Sequence, residues 1–303
     1  MRAAAFVLTF ALVMTGASVS AETFTSAYDP QPGERFELTI DKCTANAGAA
    51  EECARSIYLE EVLEDSPNGA TRVRYTMQSM QRLGRENTAE EQHGFDLLAR
   101  NMVLLFHTDE AGVPILIENR QAILDLTMAM IPPDNADARD RMNALLSGMS
   151  DEAFAGMFGK DFAPPSIFQA IEIEVGHPVT GSVSLPFPLD ETQSIEANAT
   201  LTLHAIDRTA GVARASFRQA VDPASASAAV RAFLETMAQE TIVPALLATI
   251  QIERSDEINA VIDLASGRVM QLEMSTRSGV SSGVEDRIRT ERLTMTRRML
   301  PNG

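Results

Sequence analysis

The chain has no tryptophan, only two cysteines and, after its first residues, no long apolar run. Without tryptophan the usual stacking platform for sugar rings is missing, and nothing in the sequence favours the paired carboxylates of a glycosidase. A membrane-spanning helix needs about 20 consecutive apolar residues. The sequence beyond residue 21 therefore predicts no transmembrane helix.

The first 21 residues have the layout of a secretory signal peptide. Arg2 supplies the positive charge, residues 3–13 form a short apolar run, and Val19-Ser20-Ala21 offers the small residues that a signal peptidase needs. We expect residues 1–21 to be removed and the mature chain to begin at Glu22, in an oxidising compartment, with the periplasm as the first choice. The residue directly after the cleavage site is not cysteine, so a lipid anchor is not predicted.

Acidic side chains dominate the charge of the chain. The formal net charge is −17, and loss of the single positive charge of Arg2 with the signal peptide makes it −18. Binding to nucleic acid or to an anionic membrane surface needs clustered positive charge, so both kinds of partner are disfavoured. The charge instead favours a chain kept in solution by self-repulsion.

The two cysteines, Cys43 and Cys53, bracket a segment rich in alanine and glycine between two stretches that alternate as strands do. In an oxidising compartment this spacing predicts a disulfide that closes a hairpin loop. The alternatives are a redox pair, which usually has the spacing C-x-x-C, and a metal site, which needs histidine or cysteine partners nearby. The sequence meets neither condition.

Period-2 apolar patterns on both sides of a glycine-containing turn predict further hairpins. In each turn an acidic or amide residue begins the reversal and glycine takes the position that needs a positive φ. These predicted turns lie at residues 64–69, 109–112, 207–211 and 263–267.

Helical patterns lie between the hairpins. An apolar helix is predicted over residues 121–131, ended by two prolines, and a second follows with Asp134 or Asp137 as its cap. Ser150 is expected to cap a third helical segment, and Asp222 followed by proline to begin a fourth.

The order of strands and helices predicts an α+β protein, in which helices pack on one side of an antiparallel sheet built from hairpins. The pattern divides after the predicted signal peptide (1–21) into two similar halves, residues 22–160 and 161–303. One continuous domain is the alternative to two halves. Residues 176–183 are expected to lead into a strand at the edge of the sheet.

Several short segments resemble an uncharacterised family of bacterial exported proteins. They are the stretches 61–65 and 75–77, the turn 109–113, the segment His177-Pro178-Val179-Thr180-Gly181, and the turn 262–267. In that family the middle segment has a tryptophan after its glycine, whereas this chain has none. The resemblance implies a hairpin-rich fold and no particular activity.

Methionine and phenylalanine concentrate on the predicted helices at the end of the first half. Thioether and aromatic side chains serve adaptable apolar binding sites, although they also fill cores. Helices of this kind could cover a hydrophobic cavity, as they do in periplasmic lipoprotein carriers. The candidate ligand-binding residues are Met128, Met130, Met142, Met149, Phe154, Met157 and Phe158.

Catalytic motifs are weak. The run Gly279-Val280-Ser281-Ser282-Gly283 matches the nucleophile-elbow pattern G-x-S-x-G, but no histidine follows it and a strand pattern, not a helix, comes next. The four histidines lack metal-site spacing. Only His107 and His204, each before a turn, would form a metal site if the fold brought them to Asp109 or Asp207.

The sequence therefore predicts no catalytic residues, no metal and no cofactor. The first hypothesis for function is a non-catalytic protein of the cell envelope that binds an apolar ligand, such as a lipid, or a lipidated partner. The second is a structural or protein-interaction module of the envelope that uses exposed strand edges. The third is a hydrolase whose site is dispersed along the chain.

Overall fold

The computed structural model describes residues 22–26, 28–65, 70–169, 171–187, 190–237, 251–281 and 286–301. The predicted signal peptide lies outside the described residues, as do residues 66–69 of the predicted turn at 64–69 and residues 282–285. The strands are β1 (Thr23–Thr25), β2 (Arg35–Asn46), β3 (Glu52–Val62), β4 (Thr71–Leu83), β5 (Val103–Thr108), β6 (Pro114–Ile117), β7 (Glu172–Glu174), β8 (Val179–Phe187), β9 (Asp190–Asp207), β10 (Val212–Val221), β11 (Gln251–Asp263), β12 (Val269–Ser281) and β13 (Asp286–Met299). The α-helices of the described ranges are α1 (Ala89–Asn101), α2 (Arg120–Met130), α3 (Ala136–Ser147), α4 (Asp151–Gly159) and α5 (Pro223–Met237), and a 3-10 helix spans Pro164–Phe168.

Eleven strands form one antiparallel sheet in the order β6-β5-β4-β3-β2-β13-β12-β11-β10-β9-β8. The first and last strands of this sheet in chain order, β2 and β13, pair at its middle, from Asn46 opposite Arg289 to Phe36 opposite Met299. β1 and β7 form a separate two-stranded ladder. The predicted antiparallel sheet with helices is thus confirmed, and the sheet is its dominant part. None of the described helices has the length and apolar character needed to cross a membrane.

The two halves of the sheet share an order of elements. Three strands, a helix and two more strands follow each other in β2-β3-β4-α1-β5-β6 and again in β8-β9-β10-α5-β11-β12, after which β13 closes the chain. The predicted division at residues 160 and 161 falls between α4 and β7. The sheet itself continues from one half to the other through β2 and β13.

Aspartates shape the predicted hairpin turns. Asp109 Oδ1 accepts hydrogen bonds from the backbone N–H groups of Ala111 and Val113, and Gly112 has a φ of +78°. The Asp207 and Asp263 carboxylates bond the backbone of their own turns in the same manner. The hairpins β5–β6, β9–β10 and β11–β12 are therefore formed as the sequence predicts.

Helix caps follow the sequence in part. Ser150 accepts from the Ala153 N–H and caps α4, as predicted. The predicted cap of α3 was wrong: Asn135, and neither Asp134 nor Asp137, accepts from the Ala138 N–H, because it is the residue directly before the first helical turn.

Helix α1 has no counterpart in the sequence prediction. It begins with a capping box, in which Thr88 accepts from the Glu91 N–H and the Glu91 side chain accepts from the Thr88 N–H. None of its residues is buried, and its apolar side chains are confined to Phe95, Leu97 and Leu98, so the apolar pattern by which helices are found in a sequence is short.

One face of the sheet carries the core. Alternate residues of the strands, such as Leu38 and Ile40 on β2 and Leu201 and Leu203 on β9, are buried in a single cluster with Leu124 of α2 and other helical residues. The alternation arises because successive side chains of a strand point to opposite faces. The opposite face carries cross-strand ion pairs, as between Arg55 and Asp41. We call these the inner and outer faces.

The predicted disulfide joins Cys43 and Cys53, which stand directly opposite each other on β2 and β3, with their Cα atoms 4.0 Å apart. It closes the end of this hairpin on the outer face of the sheet.

Replacing both cysteines by serine should lower the free energy of unfolding by about 2–3 kcal/mol, since the unfolded chain then regains the entropy of the short loop. Urea unfolding of the wild type and of the Cys43→Ser/Cys53→Ser variant measures the difference. Addition of a reductant should bring the wild type to the variant's value and leave the variant unchanged. Two alkylated thiols in the wild type before any reduction would contradict the pairing.

Candidate functional site: a methionine rim and a buried charge cluster

Several methionines from strands, helices and connecting segments pack against the edge of the core. They are partly buried, each with some surface in contact with the main cluster and some in contact with solvent. We call this set the methionine rim; its members are Met80, Met102, Met128, Met142, Met149, Met157 and Met274. An unbranched thioether can repack against different apolar shapes, so a rim of this composition suits an adaptable contact.

The structure brings together most of the candidate residues from the sequence. Four of the seven candidate ligand-binding residues belong to the rim, namely Met128, Met142, Met149 and Met157. A fifth, Phe158, packs against the same core cluster. Phe154 is fully buried and serves as core. Met130 is 46% exposed and lies apart from the cluster.

Arg120, the first residue of α2, ties three helices together. Its guanidinium donates to the backbone carbonyls of Leu146 and Met149 at the end of α3, each over 2.8 Å, and to Asp151 of α4. The same group lies 4.6 Å from the centre of the Phe154 ring, which stacks in turn on Phe158. Positive charge at the carboxyl end of α3 also suits the helix dipole. The rim residues of α2, α3 and α4 are therefore held in one rigid layer.

A cleft of about 360 Å³ opens between α2 and α3. Met128 and Pro133 with Ala136 form its apolar part, while polar side chains stand on the α3 side. Met128 is the one rim residue that lines it. The polar side consists of Arg139, Asp140 and Asn143.

A charge cluster lies buried inside the inner face, and the sequence analysis missed it. Glu60 of β3 accepts a hydrogen bond of 2.8 Å from Arg297 Nε of β13 and one of 3.4 Å from Arg268 Nη1 at the start of β12. Arg297 also donates to the Val269 carbonyl. Glu60 and Arg268 are each 1% exposed, so their charges are removed from water and depend on each other.

The segment before β2 covers this cluster. The Glu34 carboxylate accepts a hydrogen bond from Arg268 Nη2. The Tyr28 ring lies over the same guanidinium, with 5.4 Å between the ring centre and Arg268 Cζ. Ser26 donates to the Gly267 carbonyl, and Phe24 is buried in the core. Arg268 Nε is the group of this cluster that has no hydrogen-bond partner. The first residues after the predicted cleavage site are thus part of the fold.

All three tyrosines of the chain have a raised pKa. Burial is the largest cause in each case. For Tyr75 the nearby Glu60 carboxylate adds to burial, and for Tyr28 the Arg268 charge opposes it. Burial is the largest single influence on the pKa of Arg297 and lowers it, but the Glu60 carboxylate together with Tyr75 and Tyr28 outweighs burial and raises that pKa, so the arginine stays charged.

A sequence signal for Glu60 did exist. It alternates with Tyr58 and Val62, both of which are buried on the inner face, so the strand period alone places Glu60 inside. Arg297 likewise follows the buried Met295 by two residues. What the sequence could not show is that the two charges meet, because β3 and β13 are distant in the chain.

The histidines do not form the metal site that was considered. His107 lies on β5 and its ring contacts Glu118 at 3.2 Å, whereas His204 lies on β9 and contacts Ser216 Oγ at 2.7 Å. Seven strands of the sheet separate β5 from β9. Among the described residues the one group of three potential metal ligands is Cys43, Glu51 and Cys53, and its thiols are joined in the disulfide.

The G-x-S-x-G segment does not form a nucleophile elbow. Gly279, Val280 and Ser281 lie in β12, and the chain returns as strand β13. The elbow needs a helix after the serine. Ser282 and Gly283 lie outside the described residues.

No family model and no curated protein matches this chain. Among solved structures it is similar to one described as "lipid-protein interactions in lipovitellin", with a TM-score of 0.45 and 9% sequence identity. The match covers 90% of this chain and 26% of the other, so the chain spans about a quarter of that protein's length. A likeness of this degree carries no argument about function.

Replacing Glu60 by glutamine should lower the free energy of unfolding by about 3 kcal/mol or more, because two buried arginines then lose their shared counter-charge. Glu37→Gln is the matched control: Glu37 pairs with Arg298 on the exposed face of the adjacent strand, where loss of the pair should cost less than about 1 kcal/mol. Urea unfolding measures both. Equal effects of the two substitutions would contradict the role assigned to Glu60.

The tyrosines should stay protonated in the folded protein at pH values where free tyrosine, with a pKa of about 10, ionises. Because the folded state retains protons that the unfolded state releases, stability should fall as the pH rises above about 10. Ultraviolet titration of tyrosinate checks this directly, since the chain has no tryptophan to interfere. Normal titration of the native protein, with a midpoint matching that in denaturant, would refute it.

Proposed function

We propose that the protein is an exported, non-catalytic binding protein of the cell envelope, and that it takes an apolar ligand or the lipid chain of a lipidated partner at the methionine rim. The observation that carries the proposal is the rim itself: seven methionines that pack against the core and are only partly buried, four of which lie in the segment from α2 to α4. Core methionines, such as Met77 and Met295, are by contrast fully buried. A half-exposed thioether leaves apolar area that a ligand would remove from water.

The cleft between α2 and α3 is the entry point that we assign to the ligand. Its apolar floor at Met128, Pro133 and Ala136 would contact a hydrocarbon chain, and its polar side would meet a head group or water. Burial of apolar surface with a few polar groups at the mouth is the usual composition of a small-molecule site. The hydrogen bonds of Arg120 hold the start of α2 to the end of α3, which limits how far the two helices that flank the cleft can move apart.

A second cleft is a poorer candidate. It has about 690 Å³ and is lined by residues 31–35 with Glu61 and Met299. Glu34, Arg35 and Glu61 make its wall charged, and each takes part in an ion pair. An apolar chain placed there would desolvate these groups without replacing their contacts.

The compartment belongs to the same proposal. A disulfide between Cys43 and Cys53 persists in an oxidising environment, and the predicted signal peptide leads there. Protein purified from that compartment without detergent should carry bound lipid, visible as a heavier species in native mass spectrometry that collapses to protein and lipid on activation. A clean mass for the bare chain, together with failure to take up added lipid, would overturn the proposal.

Filling the cleft should abolish binding without disturbing the core. Asn143 is exposed and lines the cleft, so Asn143→Trp should weaken the binding of spin-labelled palmitate tenfold or more, which corresponds to at least about 1.4 kcal/mol. Ala144→Trp is the matched control, because this neighbouring residue is also exposed but does not line the cleft.

Electron paramagnetic resonance of the bound label gives the affinity. Each variant also carries the only tryptophan of its chain, whose quenching by the label reports the distance to the ligand. Equal affinity of the two variants would place the ligand elsewhere, provided that urea unfolding shows both to be folded.

A further inference from the structure

The two edges of the eleven-stranded sheet differ. At one edge, β6 is four residues long and α4 packs on it so closely that a Cβ atom on Gly159 would lie 2.9 Å from Pro114 Cβ. At the other edge, β8 runs for nine residues and pairs only with β9 within the described ranges. An uncovered edge offers a row of backbone donors and acceptors to another strand.

β8 also lacks the charges with which proteins usually protect an edge. None of the nine residues Val179–Phe187 is charged, in a chain with a formal net charge of −17. Two copies of such an acidic chain repel each other over most of their surface. Two copies can therefore approach each other with least repulsion at an uncharged strand edge. A basic partner would instead bind to the acidic surfaces.

The residues of β8 are also suited to pairing with a second copy of the same strand. Val183 stands opposite Ala197 and Leu185 opposite Ile195, so both point to the inner face, where each is only partly buried and packs against the cluster under α5. Ser182 and Ser184 are exposed on the outer face. If β8 met its own copy antiparallel, with Val183 opposite Val183, apolar residues would face apolar residues on one side and Ser182 would face Ser184 on the other.

We propose that β8 is a homodimerisation edge, on which a second copy of this chain adds its own β8 antiparallel around a twofold axis through Val183. The interface is isologous, as in most homodimers. The inner face of one sheet continues into the other, and Val183 and Leu185 become fully covered. A single strand pair buries much less than the roughly 1,600 Å² of a standard interface, so the dimer depends on concentration.

Charge patterns on the outer face test both the dimer and its register. Ser182→Lys/Ser184→Lys places like charges directly opposite each other across the axis and should weaken dimerisation roughly tenfold. Ser182→Lys/Ser184→Glu places opposite charges there and should dimerise at least as well as the wild type. Asn198→Lys/Thr200→Lys is the matched control, because these residues lie on the same face one strand further in, with Asn198 opposite Ser182.

Analytical ultracentrifugation over a concentration series gives the dissociation constants. We expect a monomer–dimer equilibrium for the wild type and the control, and a largely monomeric Ser182→Lys/Ser184→Lys variant. A wild type that is monomeric throughout would overturn the proposal. A dimer equally strong in all variants would place the interface elsewhere and also overturn it. The sedimentation measurement uses no ligand, so its result does not depend on the proposed binding function.

Discussion

Among the residues that the structure describes, Glu60 is the one buried carboxylate, and the packing of the interior depends on it. It lies inside the apolar face of the sheet and accepts hydrogen bonds from Arg268 and Arg297. Charges at this depth are stable only together, since each alone would carry a large desolvation penalty. The cluster therefore requires that β3, β12 and β13 be in place at the same time, and that the segment through Tyr28 and Glu34 close over them. An apolar cluster would permit several packings of these strands, whereas paired charges permit few.

The charge cluster and the methionine rim are two different environments on the helical side of the sheet. Around the charge cluster, partners are fixed and side chains are fully buried. Along the methionine rim, the contacts are apolar packing contacts and the side chains are only partly buried. Rigid support for an adaptable surface is what a binding site for chemically plain ligands needs, because hydrocarbon chains offer shape and area but few groups for specific hydrogen bonds.

Much of the fold could be predicted because the chain marks its reversals locally. Asp109, Asp207 and Asp263 each begin a turn with a glycine at the position of positive φ, and their hairpins are present. The order of strands in the sheet could not be derived, because no local feature of the sequence indicates that β2 pairs with β13. Helix α1 was missed because its apolar residues are few, namely Phe95, Leu97 and Leu98, and all lie in its second half. The candidate methionines were found by their helical spacing, but spacing does not distinguish Phe154, which is core, from Met128, which lines a cleft.

Pairing of the first long strand with the last has a kinetic consequence. Residue 41 stands opposite residue 294, so the partners in this ladder lie far apart in the chain. Synthesis makes β2 well before β13, and contacts of such range form slowly. Until β13 is made, β2 lacks one of its neighbours and Glu60 lacks Arg297. An unfinished sheet of this kind therefore exposes β2 as an open edge, which is a hazard for aggregation.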